Sequence, residues 1–436
     1  MLFRDITILD ENFNIRENMY VGVSDEKIDY VGEQMPQKDF GEIYNGKNRL
    51  LMPGFFNIHA HSPMTLMRGY GEDMELEDWL FNRIFPFEKH LTGSSVYSGT
   101  LLAMAESLKN GIVSTSDMYY LCEDMIKVAD DAKCKMNVSR SITNFDDVGL
   151  MQTQAGKEMK SLFENYNGAS RGRIIVEMSL HAEYTNTERI ATELAELAEV
   201  LNAGIHVHVS ETKKETLECK ERHDGRTPVK FLADTGLFNT RTVAAHCVHL
   251  EPGDIDILKE KNVNVAVNAI SNLKLASGVC DVAGLLRNGI NVGIGTDSVA
   301  SNNNLDFLEE MKIFAMAPKM YYNNPSEITV NQVLTAATRA GAVAQGRRDT
   351  GLIKEGMKAD LITVDLSDCH MHPAHDTFAN LVYSATGRDV RMTMVDGRVL
   401  YKNNKFTTIN IKKTISSRSE ERRVGKECRS RWSPYH

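Results

Sequence analysis

The 436-residue chain is 42% hydrophobic and 25% charged, with a formal net charge of −9, enough for one large domain and a smaller one around a substantial core. That balance excludes a general basic field, so a small-molecule ligand is expected, with neither nucleic acid nor membrane as partner. Seven scattered cysteines without a C-x-x-C pair argue against a disulfide framework or a thiolate zinc site and for a reducing, cytoplasmic setting.

From the N-terminus, "MLFRDITILDENFN" acquires acidic residues at once; neither a signal peptide nor a spanning run of about 18 apolar residues is expected. Residues 1–50 read as short strands and turns, in "DITILD" and "MYVGVSDEKIDYVGE". The same texture returns in "KADLITVDLSD" and "VRMTMVDGRVLYKNNKF". Lone hairpins are barely stable, so 1–50 and 360–411 are expected to form one small β-sandwich domain from both chain ends. Residues 51–359 alternate apolar strand-like runs with helix-like runs. The strand candidates are "LLMPGFFNIHAH", "IVSTSDMY", "KMNVSRSI", "RIIVEMSLHAE", "GIHVHVSE", "TVAAHCVHL", "VNVAVNAI" and "NVGIGTDS". Between them, "YSGTLLAMAESLKNG" and "TERIATELAELAEVLNAG" space apolar residues by three and four and close on glycine. Eight such alternations predict an α/β fold, a (β/α)8 TIM barrel with its active site at the C-terminal strand ends. Residues 412–436, with eight Lys or Arg against three acidic residues, read as a basic tail. Its end, "EERRVGKECRSRWSPYH", resembles translated adapter sequence and is set aside as non-native.

The polar residues sit where a barrel would use them. In "PGFFNIHAH", His59 and His61 are two apart, and alternate residues of a strand share a face. His181 follows the fourth strand, His208 and Glu211 the fifth, His246 the sixth and Asp297 the eighth. Three neutral imidazoles and a carboxylate suit one divalent metal per subunit, zinc most readily; His59, His61, His208 and Asp297 are the expected ligands. His206 faces the same way as His208 but lies farther from the strand end, and is read as a packed interior histidine. No lysine in the fourth strand is available to bridge a second metal. A single ion makes a hydroxide-like nucleophile near neutral pH. Glu211 is placed to protonate a substrate nitrogen, His246 to polarise the attacking water and Asp297 to accept its proton. The expected chemistry is hydrolysis that releases ammonia or another amine.

These motifs, with "PGFFNIHAHSPMTLMRGYGEDMELEDWLFNRIFPFE", "HVSETKKE", "AAHCVHL", "SNLKLASG", "GTDSVASNNNLDFLEEM" and "GMKADLITVD", resemble the amidohydrolase superfamily, and within it the 5'-methylthioadenosine/S-adenosylhomocysteine deaminase branch. The resemblance spans about residues 1–410. It implies zinc-dependent deamination at purine C6 of an adenosine-type nucleoside. By motif it implies that Glu88 binds ribose hydroxyls, Trp79 lies near the 5' side, His181 contacts the purine and Arg140 meets the amino-acid end of S-adenosylhomocysteine. It also implies a homo-oligomer. The chain departs from the branch in two places: Gln152 stands where counting puts a second arginine, and Val267, Asn268 and Ala269 replace His-Asn-Pro before "SNLKL". Both leave the metal ligands intact and shift weight toward shorter substrates. The competing readings are an amidohydrolase acting on a free purine or guanine-like base or a triazine, and a non-catalytic assembly protein.

Overall fold

The structure, a computed structural model, describes residues 1–416. From residue 417 on, the basic tail and the reading of it as foreign lie outside the described residues.

Among the described residues, eight strands form one all-parallel sheet: Phe55–Ala60, Ile112–Tyr119, Lys135–Ile142, Ile174–Leu180, Ile205–Val209, Thr242–His246, Asn264–Val267 and Val292–Ile294. Helices and barrel interior cover both faces of these strands, which is why they read as continuous apolar runs. The ring is closed between its last and first strands. Asp297 bridges Ala60 in parallel register, and the Asp297 amide donates to the His59 carbonyl at 2.9 Å. Gly295 permits this approach, since a Cβ there would lie 2.2 Å from Asn268 Oδ1 and 2.8 Å from His59 Cβ. The expected (β/α)8 barrel is the observed one.

Several of the helices begin on threonine caps. Thr92, Thr153, Thr187, Thr212 and Thr227 each accept an amide hydrogen from the first helical turn, satisfying an otherwise orphaned donor. The helix Glu188–Leu201 ends on Asn202 at φ 50° rather than on the glycine expected from its sequence. Asparagine tolerates that left-handed conformation.

The chain ends combine. Among the described residues, nine strands form one mixed sheet, joined where Arg49–Pro53 pairs antiparallel with Leu361–Asp365. The terminal strands thus make a single continuous sheet with its own core of Phe3, Ile6, Val21, Leu361 and Met392, among others. No helix among the described residues is long and apolar enough to cross a membrane.

A buried charge ties sheet to barrel. Lys135, on the third barrel strand, is fully buried and pairs with Asp360 and, at 2.6 Å, with Asp396, both beside strands of the terminal sheet. Burial pushes the Asp360 carboxyl up, but the Lys135 ammonium outweighs it and holds the group below its usual value. Removing the cation leaves two buried carboxylates facing each other, with Thr350 on Asp360 and Lys358, 3.6 Å away, on Asp396. Lys135→Ala is therefore expected to cost about 3–5 kcal/mol of stability, read as a lowered thermal and denaturant midpoint.

Candidate active site

Four donor atoms converge at the top of the barrel. His59 Nε2 lies 3.5 Å and His61 Nε2 3.3 Å from Asp297 Oδ1, and His208 Nε2 is 3.4 Å from His61 Nε2. Ligand atoms about 2.1 Å from a tetrahedral ion stand roughly 3.4 Å from one another. The residues therefore fit a divalent metal. His59 Nε2 is buried and has no hydrogen-bond partner among the described residues, as a ligand atom aimed at an ion should be. Burial drives His59 and His208 well below the usual imidazole range, keeping their lone pairs free. Burial pushes Asp297 up, but the two imidazoles facing it prevail and hold it well below the usual carboxylate range. Its remaining lone pairs are used by Ser271 Oγ at 2.6 Å and the Ser298 amide at 2.7 Å.

The strand ends that present these groups adopt unusual backbone conformations. Ser210, His246, Cys247 and Asp297 all have positive φ, from 48° to 75°, where non-glycine residues carry strain of order 1–3 kcal/mol each. Tertiary hydrogen bonds hold them there. Glu215 accepts the amides of Ser210 at 2.8 Å and Glu211 at 2.7 Å, and the Cys247 amide donates to Val209.

Beside the donor set, His246 Nε2 lies 3.6 Å from Glu211 Oε2. Asn272 Oδ1 lies 2.7 Å and the Asn268 side-chain amide nitrogen 3.2 Å from His246 Nδ1, which holds the ring with Nε2 facing the site. Glu211 is buried, and that burial raises its carboxyl above the usual range, which favours a proton-carrying form. A group poised this way can give a proton to a bound nitrogen.

The cavity above spans about 610 Å3, mouth included, and among its walls are Trp79, Glu88, His181, Glu211, His246 and Asp297. Its size matches a small organic ligand. One helical segment supplies both Trp79 and Glu88, interrupted by a π-type turn over Leu80–Ile84; such turns recur at functional sites. Glu88 is half-buried, and burial pushes its carboxyl up to about 7, against the opposing pull of Tyr119 and His61. His181 Nδ1 is held at 3.0 Å by Thr185.

Arg140 stands apart from the other expected site residues. It is not among the cavity walls: its Nε donates to Glu158 at 2.6 Å and its guanidinium lies over the Tyr120 ring. Gln152 is likewise engaged elsewhere, its Oε1 accepting the Gly149 amide at 2.9 Å. Conversely, Tyr119, Tyr120 and Tyr184 line the cavity without having been singled out in the sequence. The available signal for Tyr119 was its place at the end of the second apolar run, where a barrel keeps its functional residues.

Comparison with known proteins places this geometry in a family. A model described as "Amidohydrolase family" matches residues 50–400. The chain belongs to the amidohydrolase family. A 5-methylthioadenosine/S-adenosylhomocysteine deaminase of Caldanaerobacter subterraneus subsp. tengcongensis is 38% identical over 415 residues, covering 95% of each chain. A 5'-deoxyadenosine deaminase of Methanosarcina mazei is 40% identical over 399 residues, 91% of this chain and 90% of its own. Among solved structures, a zinc-bound adenosine deaminase from Xanthomonas campestris matches with a TM-score of 0.90 at 28% identity, over 97% of this chain and 98% of that one.

In this amidohydrolase, Asp297 lies 3.3–3.5 Å from two of the three imidazoles that could hold a metal. Asp297→Asn is expected to weaken divalent-metal retention by more than about 10-fold, measured as metal content per chain after equilibrium dialysis, while thermal stability of the metal-free protein changes little.

Proposed function

We propose that this amidohydrolase is a zinc-dependent deaminase converting an adenosine-type nucleoside to its inosine analogue and ammonia. The substrates considered are 5'-methylthioadenosine, S-adenosylhomocysteine, 5'-deoxyadenosine and adenosine. The observation that carries this reading is the placement of Glu211 and His246, 3.6 Å apart, beside four metal-type donor atoms at the base of a cavity that also holds Glu88. The names of the two relatives and the zinc in the Xanthomonas structure support it.

His59, His61, His208 and Asp297 would hold one zinc ion, whose chemistry is to make water nucleophilic near neutral pH. The protein groups do the rest. Glu88 accepts hydrogen bonds from the ribose hydroxyls, His181 contacts the purine edge, and Trp79 flanks the 5' side. Glu211 gives its proton to the ring nitrogen beside C6, while His246 and Asp297 take the proton released by the attacking water. A C–O bond forms at C6 and the C6–N bond breaks. Of water's two protons, one leaves on the amine and the other returns to Glu211, so that ammonia and the 6-oxo purine result.

The 5' preference follows from Arg140. With Glu158 already on its Nε at 2.6 Å, a substrate carboxylate would have to displace an ion pair, and Gln152 offers no second cation. Uncharged 5' groups are therefore favoured over the homocysteine tail. Free bases and triazines lack the ribose that Glu88 would bind, which sets the competing amidohydrolase readings behind this one.

Ammonia release from the four nucleosides by the zinc-loaded protein tests the reading. Turnover is expected, highest with 5'-deoxyadenosine or 5'-methylthioadenosine, with Glu211→Gln lowering kcat by about 10²–10⁴-fold and leaving zinc content unchanged. Release only from guanine or triazines would overturn it.

The second expectation concerns pH. With its carboxyl pushed up to about 7, Glu88 gains a proton as pH falls through that value and loses acceptor capacity. KM should therefore rise below about pH 7 and level off above it, and Glu88→Gln should flatten that dependence.

A further inference from the structure

The sequence places His206 as a packed interior histidine, and its contacts give it a more definite task. The three ligand imidazoles all present Nε2 to the donor cluster, yet their Nδ1 atoms are held in two different ways. His61 Nδ1 is 2.6 Å from the Met118 carbonyl and His208 Nδ1 is 2.6 Å from the His181 carbonyl. A carbonyl only accepts, so both rings carry their proton on Nδ1 and leave Nε2 free. His59 has no such fixed acceptor. Its Nδ1 lies 2.8 Å from His206 Nε2, and an imidazole nitrogen can donate or accept. The tautomer of His59 therefore depends on that of His206.

His206 meets His59 through Nε2, while its Nδ1 is buried without a hydrogen-bond partner among the described residues. A proton on Nδ1 of His206 leaves Nε2 as the acceptor. The alternative tautomer would set an N–H of His206 against His59 Nδ1, force the His59 proton onto Nε2 and block that ligand.

We propose that His206 is a positioning residue for the metal centre: it holds His59 in the Nδ1–H tautomer and in the ring orientation that points Nε2 at the ion. The role is the one carbonyls perform for His61 and His208, carried out here by a second imidazole. Partners of this kind fix ligand geometry and are worth about 10–100-fold in metal affinity. The inference rests on the metal-centre reading above.

The test is the zinc affinity of wild type, His206→Phe and His206→Gln, measured by competition with a chelator of known affinity. The phenyl ring fills the space but cannot accept; the glutamine carbonyl restores the acceptor. His206→Phe is expected to bind zinc about 10–100-fold more weakly, with His206→Gln recovering most of the loss. Equal affinity in all three would overturn the inference, as would equal losses in both variants. Absence of zinc binding by wild type would instead overturn the metal-centre reading itself. Should His206→Phe fail to fold, imidazole ¹⁵N shifts of the zinc-loaded wild type decide: a proton on Nδ1 and a bare, hydrogen-bonded Nε2 are expected for His206, and a proton on its Nε2 would contradict the assignment.

Discussion

The hydrogen bond from the Asp297 amide to the His59 carbonyl, 2.9 Å long, is the contact on which the site depends. It closes the barrel between its eighth and first strands, and its two partners are both among the four expected metal ligands. Closure and ligand assembly are thus one event. If the eighth strand were to slip, Asp297 would move away from both His59 and His61, and the donor set would lose one of its four members. Gly295 is part of the same constraint, because any side chain there would collide with His59 and Asn268.

Around that seam the electrostatics are arranged by burial. Burial lowers His59 and His208, and it lowers His61 too, but the facing Asp297 prevails there and lifts that ring to about 9, while Asp297 itself stays ionised because the imidazoles face it. Farther out, burial acts in the opposite sense on Glu211 and Glu88, raising both. One cavity thereby holds a carboxylate suited to binding a cation and another suited to carrying a proton. Paired environments of this kind let acid and base chemistry run at one pH. The left-handed backbone at Ser210, His246 and Asp297 shows the associated cost, which the hydrogen bonds to Glu215 and across the closure offset.

Much of this is legible in the sequence because a buried parallel strand leaves a plain trace: an apolar run ending abruptly in a polar group. The eight runs and the histidines that follow them are read from that trace alone. What is not legible depends on contacts between distant segments. Nothing local in "NVSRSI" shows that Arg140 will meet Glu158, eighteen residues on, or that Gln152 will turn back to cap its own loop. Tyr119 and Tyr184 look like ordinary core aromatics until the cavity is assembled around them. His206 could be read only as facing inward, since its partner His59 comes from another strand. The joining of Arg49–Pro53 to Leu361–Asp365 is similarly invisible locally, although the shared β texture of the two chain ends foretells that they combine.

In the proposed reaction, water adds to C6 of an intact nucleoside. The most direct measurement is mass spectrometry of the product formed from 5'-deoxyadenosine by the zinc-loaded protein in H₂¹⁸O. A single product is expected, with ribose and purine still joined, ammonia in equal amount, and one ¹⁸O atom on C6. Release of free adenine, or a deaminated product without ¹⁸O, would contradict it.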